Sequence, residues 1–151
     1  MNREKLSSST TALLLAPVVV AADTQSNYVD LQGWDAATVY VAVGDLGAVS
    51  ASFFQTPILQ EANVTPGTIA SYSAVAAADY YAGDSGGFIA IDGAGDESSV
   101  YKLAYLGTER YLNVLLDETG TTSGPICVWV ELYKANIQPS DGLSVVTGTV
   151  T

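Results

Sequence analysis

Five carboxylates in glycine-rich turns are the side chains of this sequence whose type and spacing could support a reaction. A pair of carboxylates can hydrolyse a glycoside, with one acting as general acid and the other as base or nucleophile. Acidic residues are also common in such turns for backbone reasons, because their oxygens accept hydrogen bonds from nearby N–H groups. We favour this structural role for all five, which are Asp92, Asp96, Glu97, Asp117 and Glu118.

The chain contains no histidine and one cysteine, Cys127. Ser-His-Asp and Cys-His nucleophiles and histidine-containing zinc sites are therefore impossible. Segment 83–87 (GDSGG) is similar to a serine-hydrolase loop, but it has no base, and we interpret it as a connection. Cys127 lies in an apolar run, which favours a buried small hydrophobe over a reactive thiol. We expect no enzymatic activity, no catalytic residues and no cofactor.

The loop 92–97 (DGAGDE) has an alternative interpretation as a calcium site. Oxygen ligands spaced along a loop that contains glycine can surround a hard cation. This loop lacks the ligand spacing and the terminal bidentate glutamate of an EF-hand. We therefore predict a solvated turn and no metal site, with calcium binding as the alternative.

Short β-strands are the elements that position these turns. Segment 28–44 (YVDLQGWDAATVYVAVG) organises the rest: Gly33 marks a turn, and residues 38–43 are β-branched or aromatic except at Ala42, which predicts a largely buried strand. Runs 100–106 and 110–116 are separated by three residues that include a glycine, which predicts a β-hairpin. Its tyrosines, Tyr101, Tyr105 and Tyr111, would then share one face.

The remaining pattern predicts an all-β fold, a single β-sandwich or barrel-like domain of about eight to ten short strands with extended N- and C-terminal arms. We place the N-terminal arm at 1–12, the domain at 13–134, and a C-terminal arm or added edge strand at 135–151. Trp34 and Trp129 are predicted in the core. Further strands are predicted at 13–21, 56–61, 72–77 with a helical turn at 78–82, 88–92, 126–133 and 143–151.

Residues 1–22 have a charged start, an apolar middle and small residues at Ala21 and Ala22, which is also the pattern of a secretory signal. Pro17 splits the apolar run, and residues 7–11 are polar. The run is too short and too interrupted to span a bilayer. We predict an arm that ends in a strand, with Pro17 at an edge or bulge position.

The charge pattern bears on partners. The chain has 5 Lys and Arg against 16 Asp and Glu, a net charge of −11, and its basic residues are scattered. Nucleic-acid binding needs clustered cations, and an acidic surface repels anionic membranes. Hydrophobic residues make up 48% of the chain and charged residues 14%, so much apolar surface must be buried or shared. We expect protein partners, and neither nucleic acid nor membrane.

Several segments together resemble a family of small structural proteins of tailed bacteriophages. They occur in the same order over about residues 13–134, and they are 15–17 (LAP), 29–39 (VDLQGWDAATV), 43–44 (VG), 57–61 (PILQE), 75–79 (VAAAD) and 100–111 (VYKLAYLGTERY). Several similar small β-rich proteins decorate or cement capsids of phages with an HK97-like head. The resemblance implies a virion protein on the capsid surface, with the major capsid protein and further copies of itself, as a dimer or trimer at a symmetry axis, for partners.

Our leading hypothesis is therefore a capsid decoration protein that stabilises the phage head through protein contacts. The alternatives are a head–tail connector, tail or fibre component, and, from another class, a secreted glycan-binding β-sandwich adhesin with residues 1–22 as its signal. The β-prone arms supply the predicted partner interface, which consists of Leu13, Leu14, Leu15, Val18, Val19, Val20, Leu143, Val145, Val146 and Val150.

Overall fold

The computed structural model describes residues 9–64, 72–82, 87–133 and 147–149. These residues form eleven β-strands and one short 3-10 turn, Ala77–Asp79. In chain order the strands are β1 (Ser9–Val20), β2 (Thr24–Gln25), β3 (Tyr28–Asp30), β4 (Ala36–Val43), β5 (Phe54–Ala62), β6 (Ser73–Ala74), β7 (Tyr80–Tyr81), β8 (Ser99–Tyr105), β9 (Tyr111–Thr119), β10 (Gly124–Tyr133) and β11 (Thr147–Gly148).

The strands make two antiparallel sheets. The first sheet has the order β1-β10-β4-β8-β7. The second has the order β11-β3-β9-β5-β6, and β2 also pairs with β9. One continuous apolar cluster lies between the sheets and takes side chains from both. The prediction of an all-β, sandwich-like fold is confirmed.

Alternating burial along the central strands of the first sheet builds this core. Every second residue of β4, from Ala37 to Val43, is at most 4% exposed, and the residues between them are half-buried or exposed. β10 repeats the pattern with Ile126, Val128, Val130 and Leu132. Each buried valine or leucine stabilises the fold by roughly 1.5–3 kcal/mol relative to an exposed one. These two adjacent strands therefore anchor the sandwich.

The segment that organises the chain changes sheet at its turn. Gly33 has a φ of 87°, a conformation that favours glycine, and the Trp34 N–H donates to the Leu31 carbonyl at 2.9 Å. The turn joins β3 in the second sheet to β4 in the first, and the Asp35 N–H then donates to the Tyr133 carbonyl at 3.0 Å. The turn predicted at Gly33 and the strand predicted after it are both confirmed.

The hairpin predicted between residues 100–106 and 110–116 is wrong. β8 belongs to the first sheet, where it pairs with β4 and β7, and β9 belongs to the second, where it pairs with β5 and β3. The connection between them crosses from one sheet to the other. Gly107 does not have a positive φ, but a Cβ on it would overlap the Tyr105 ring. Gly107 therefore allows the Tyr105 ring to lie close to the backbone. The sequence pattern does not distinguish such a glycine from one in a hairpin turn.

Other predicted elements have mixed outcomes. The structure contains the strands predicted at 56–61 and 126–133. It also contains a short strand after Tyr72 and the helical turn that follows it. The strand predicted at 88–92 is absent, because Ile91 makes only an isolated bridge to Gln55. Tyr111 lies in the second sheet, so it does not share a face with Tyr101 and Tyr105, which are buried in the first.

β1 is the edge strand of the first sheet, and its pairing with β10 is interrupted twice. Leu13 faces Trp129, Leu15 faces Val128, and Val18 faces Ile126, so β1 has one extra residue in each interval. Pro17 lies in the second irregularity, which confirms the edge or bulge position predicted for it. Such bulges disrupt an edge that would otherwise pair with another chain.

Both predicted arms are described only in part. β1 begins at Ser9, and residues 1–8 lie outside the described residues. Of the strand predicted at 143–151, the structure describes residues 147–149. They include β11, which pairs with β3 at the edge of the second sheet of its own chain. Residues 134–146 and 150–151, with Leu143, Val145, Val146 and Val150, lie outside the described residues.

Candidate interaction surface

The predicted interface residues of β1 divide between core and surface. Leu14 and Val20 are 1% and 2% exposed and belong to the core of their own chain. Leu15 is partly buried against that core. Leu13, Val18 and Val19 are 52%, 43% and 63% exposed. Among the described residues of β1, only these three expose large apolar side chains.

Four consecutive exposed residues, Ala16, Pro17, Val18 and Val19, form what we call the edge patch. A regular strand would turn every second side chain into the core. The irregularity between Leu15 and Val18 breaks this alternation, so the whole run faces solvent. The patch lies at an edge of the first sheet, because β1 pairs only with β10 among the strands that the structure describes.

The outer surface of the first sheet carries a second apolar surface. Leu13, Trp129, Tyr40 and Lys102 stand in one row across four strands, by the register of β1, β10, β4 and β8. In the next row are Glu131, Thr38, Ala104 and Tyr81. We call the aromatic face the set Leu13, Tyr40, Tyr81, Val100, Lys102, Trp129 and Glu131.

Two stacked rings lie at the centre of the aromatic face. The Tyr40 and Trp129 ring centroids are 5.1 Å apart with an interplanar angle of 4°. Trp129 is therefore on the outer surface, and its predicted place in the core is wrong. Cys127 shares this outward orientation and is half-buried, so it is not the core residue that was predicted, although burial raises the pKa of its thiol. Trp34 was also predicted in the core. It is partly buried and packs against the core.

A small polar cluster accompanies the rings. The Tyr40 hydroxyl donates to Glu131 Oε2 at 3.3 Å. Burial and the neighbouring Glu131 carboxylate raise the pKa of Tyr40. Burial and a hydrogen bond to the same carboxylate raise the pKa of Tyr133. Both phenols therefore stay neutral donors at physiological pH and hold Glu131 in place.

The five strands of the first sheet contain only two charged residues, Lys102 and Glu131. The rest of the chain carries the excess of acidic residues that gives the net charge of −11. Among the described residues, Arg110 and Asp30 form the only ion pair, and none of these residues forms an ion pair with Lys102. The aromatic face is therefore a locally neutral, apolar surface on an acidic protein.

A cleft of about 620 Å³ opens at one end of the sandwich, between the β3–β4 and β8–β9 connections. Trp34 and Leu106 give it apolar walls, and Glu109 and Arg110 line its rim. Arg110 is already engaged by Asp30, and the Tyr105 hydroxyl donates to Glu61 at 2.6 Å. Two of its polar lining groups, the Arg110 guanidinium and the Tyr105 hydroxyl, are therefore bound to side chains outside the cleft lining.

Three of the five acidic residues considered for catalysis or calcium binding accept hydrogen bonds from backbone N–H groups, and Asp117 and Glu118 lie in β9 rather than in the predicted turn. Asp96 Oδ2 accepts the Gly93 N–H at 3.1 Å, and Glu97 Oε1 accepts the Leu46 N–H at 2.6 Å. Glu118 Oε1 accepts the Thr122 N–H at 2.8 Å. Within the described ranges, no three acidic or cysteine side chains converge on a possible metal position. No helix in this part of the chain is long and apolar enough to cross a membrane.

One feature that sequence reasoning missed is a polar cluster on the second sheet. Asn113 is fully buried, and neither polar atom of its amide has a hydrogen-bond partner among the described residues. Beside it, the Gln25 amide donates to Gln60 Oε1 at 2.7 Å, while Gln25 Oε1 has no partner. A lone asparagine within an apolar strand was the available signal.

Comparison with known proteins identifies no relative. No family model matches the chain, and neither the curated proteins nor the solved structures include a significant match.

Proposed function

We propose that this protein is a virion structural protein, a capsid decoration or cement protein that binds the outer surface of a phage head and stabilises the shell. Its partner would be the major capsid protein, and its location the capsid surface. The proposal starts from the sequence resemblance to small phage structural proteins. The structure adds an all-β body whose apolar surface is concentrated on one sheet.

The edge patch is the observation that carries the proposal. Four successive apolar residues, Ala16 to Val19, are exposed on β1, an edge strand of the first sheet among the described strands. Apolar residues at an edge are a liability for an abundant soluble protein unless a partner covers them. The bulges at this edge prevent regular strand addition, so side-chain contacts with the shell protein would cover the patch.

Cementing requires no chemistry, only contacts that must break when shell subunits separate. A protein that touches two neighbouring subunits adds the free energy of both contacts to the cost of separating them. Its acidic exterior, at a net charge of −11, keeps many copies soluble and apart until they dock.

The first experiment counts copies. Intact-mass proteomics of purified particles should find this chain at hundreds of copies per head, on the order of the number of shell subunits. A handful of copies would instead indicate a connector or tail component. Absence from the particle would overturn the proposal.

The second experiment tests the edge patch by adding protein back to particles from which it has been stripped. The parent chain should raise the temperature at which heads rupture, and the double variant Val18→Glu, Val19→Glu should bind at least about tenfold more weakly. Val64→Glu is the matched control, because Val64 is also an exposed valine, at 60%, but lies outside the patch. Stripped heads whose stability does not respond to the parent chain would refute cementing.

The stacked rings of the aromatic face count against the alternative of a glycan-binding adhesin. Sugars stack on the open face of an aromatic ring, whereas the rings of Tyr40 and Trp129 face each other at 5.1 Å, and each therefore loses one face to the other. Glycan-array binding that disappears in Trp129→Ala would support this alternative.

A further inference from the structure

We propose that the aromatic face is a contact between two copies of this chain, related by a two-fold axis, in which Lys102 of each copy pairs with Glu131 of the other. This inference is independent of the shell contact, which uses the edge patch. Self-association can therefore be tested on the purified chain without any capsid.

Charge selects the surface through which two copies can meet. Two chains of net charge −11 repel each other over most of their surfaces. The five strands of the first sheet are the exception, because they carry one cation and one anion. A two-fold contact places the same surface on both sides, so this surface must be complementary to itself. One positive and one negative group at different places satisfy that condition.

The register places the two charged groups where a two-fold axis can exchange them. Lys102 faces Tyr40 on one side of β4, and Glu131 faces Thr38 on the other side, one row away. Within one chain their backbones are about 10 Å apart across the strands and about 7 Å along them. No ion pair joins them in the structure, where Arg110–Asp30 is the only one among described residues. A two-fold axis that runs parallel to the sheet, over β4 between Tyr40 and Thr38 and perpendicular to the line from Lys102 to Glu131, places each of these positions opposite the other in the partner copy.

Apolar side chains surround the two charges. Leu13, Tyr81 and Val100 are 52%, 65% and 57% exposed, and the stacked pair of Tyr40 and Trp129 lies between them. Sheets that pack face to face lie about 10 Å apart, a separation that these side chains and a lysine can fill. Large aromatic residues at the centre of a surface are typical anchors of protein contacts. Glu131 is already oriented by Tyr40, which reduces the entropy lost when the pair forms.

Sedimentation velocity of the purified full chain over a range of concentrations tests the contact. The parent chain should dimerise, and Lys102→Glu and Glu131→Lys should each raise the dissociation constant at least about tenfold. The double exchange Lys102→Glu, Glu131→Lys should restore dimerisation, because it keeps the parent net charge and reverses both pairs. Thermal melts establish that each variant is folded, since Glu131→Lys also removes the bond from Tyr40.

Cys127 gives a second readout that needs no substitution. It points out of the same sheet and is the chain's one thiol, so its reaction with a thiol reagent should slow as the protein concentration rises into the dimer range.

Each contrary result would refute a specific part of the proposal. A parent chain that stays monomeric at about millimolar concentration would overturn the contact. If both single variants still dimerise as the parent does, the contact lies elsewhere. If the double exchange dimerises no better than the single variants, Lys102 and Glu131 do not pair across the contact. The double variant Val18→Glu, Val19→Glu should dimerise as the parent chain does. Loss of self-association can therefore be distinguished from loss of the shell contact.

Discussion

Arg110 holds the Asp30 carboxylate with two parallel hydrogen bonds, from Nε to Oδ1 at 2.9 Å and from Nη2 to Oδ2 at 2.7 Å. Asp30 ends β3 and pairs with Tyr111, the first residue of β9, and the Arg110 guanidinium lies 5.0 Å from the Tyr111 ring centroid. Bidentate pairs of this kind fix geometry as well as charge. The pair therefore ties the start of β9 to the turn that precedes β4.

This pair predicts a pH dependence of stability. The hydrogen bond from Arg110 lowers the pKa of Asp30 below its usual value of 3.8, although burial opposes the shift. Because the folded-state pKa is the lower one, the pair stabilises the fold above about pH 4 and loses this contribution as the pH falls through the folded pKa. Asp30→Asn should be less stable than the parent at pH 7, and the difference should shrink as the pH falls below about 4. Urea unfolding at several pH values measures it, and a difference independent of pH would contradict the assignment.

Tyr105 and Tyr72 allow the same chemical change at a bonded and an unbonded hydroxyl. The Tyr105 hydroxyl donates to Glu61 and accepts the Glu109 N–H at 2.9 Å. The Tyr72 hydroxyl is buried without a partner in the structure, and burial raises the pKa of Tyr72 to about 12. Tyr105→Phe should lower the free energy of unfolding by about 1–2 kcal/mol, whereas Tyr72→Phe should leave it unchanged or raise it by up to about 2 kcal/mol, because it removes a buried hydroxyl without a partner among the described residues. Equal effects in denaturant unfolding would show that Glu61 and Glu109 do not depend on this hydroxyl.

The unpaired amide of Asn113 predicts a stabilising substitution. Burying an amide without hydrogen bonds costs about 1–3 kcal/mol, and leucine has a similar shape without that cost. Asn113→Leu should therefore leave the free energy of unfolding unchanged or raise it by up to about 2 kcal/mol. Asn113→Ala, which opens a cavity instead, is the comparison. A loss of more than about 1 kcal/mol in the leucine variant would show that the amide is hydrogen-bonded in solution.

Alanine substitutions at two glycines distinguish the stability cost of backbone strain from that of steric overlap. Gly47 and Gly120 have φ values of 80° and 78°. A Cβ on Gly47 would meet no atom within 4 Å, whereas a Cβ on Gly120 would overlap the Ser52 carbonyl and the Phe53 ring. Gly47→Ala should cost about 1–2 kcal/mol from its left-handed backbone alone, and Gly120→Ala about 3 kcal/mol or more. Thermal melts of both variants check the ranking.

Alternation in the sequence determined the faces of the strands but not their partners. β4, β5 and β10 were predictable because apolar residues alternate along them or fill them. The same pattern cannot show whether β8 pairs with β9 or crosses to the other sheet, because both arrangements bury the same side chains. The decisive contacts, such as Tyr105 with Glu61, join residues far apart in sequence.

The aromatic face was partly readable from sequence. Glu131 occupies the outward register of β10, and Trp129 and Cys127 share that register, so the position of one charge could have placed both residues outside. Lys102 gives the same information for β8. What no local pattern could give is the order β10-β4-β8, which brings these side chains into one surface.

The position of β10 between β1 and β4 has a consequence for synthesis on the ribosome. Among the described strands, residues 9–20 pair only with β10, which is residues 124–133. The growing chain must therefore emerge almost as far as residue 133 before its earliest strand finds a partner, so the first sheet is completed late in translation. Until then the apolar run of β1 is exposed on the nascent chain, where chaperones that recognise extended hydrophobic segments would bind it.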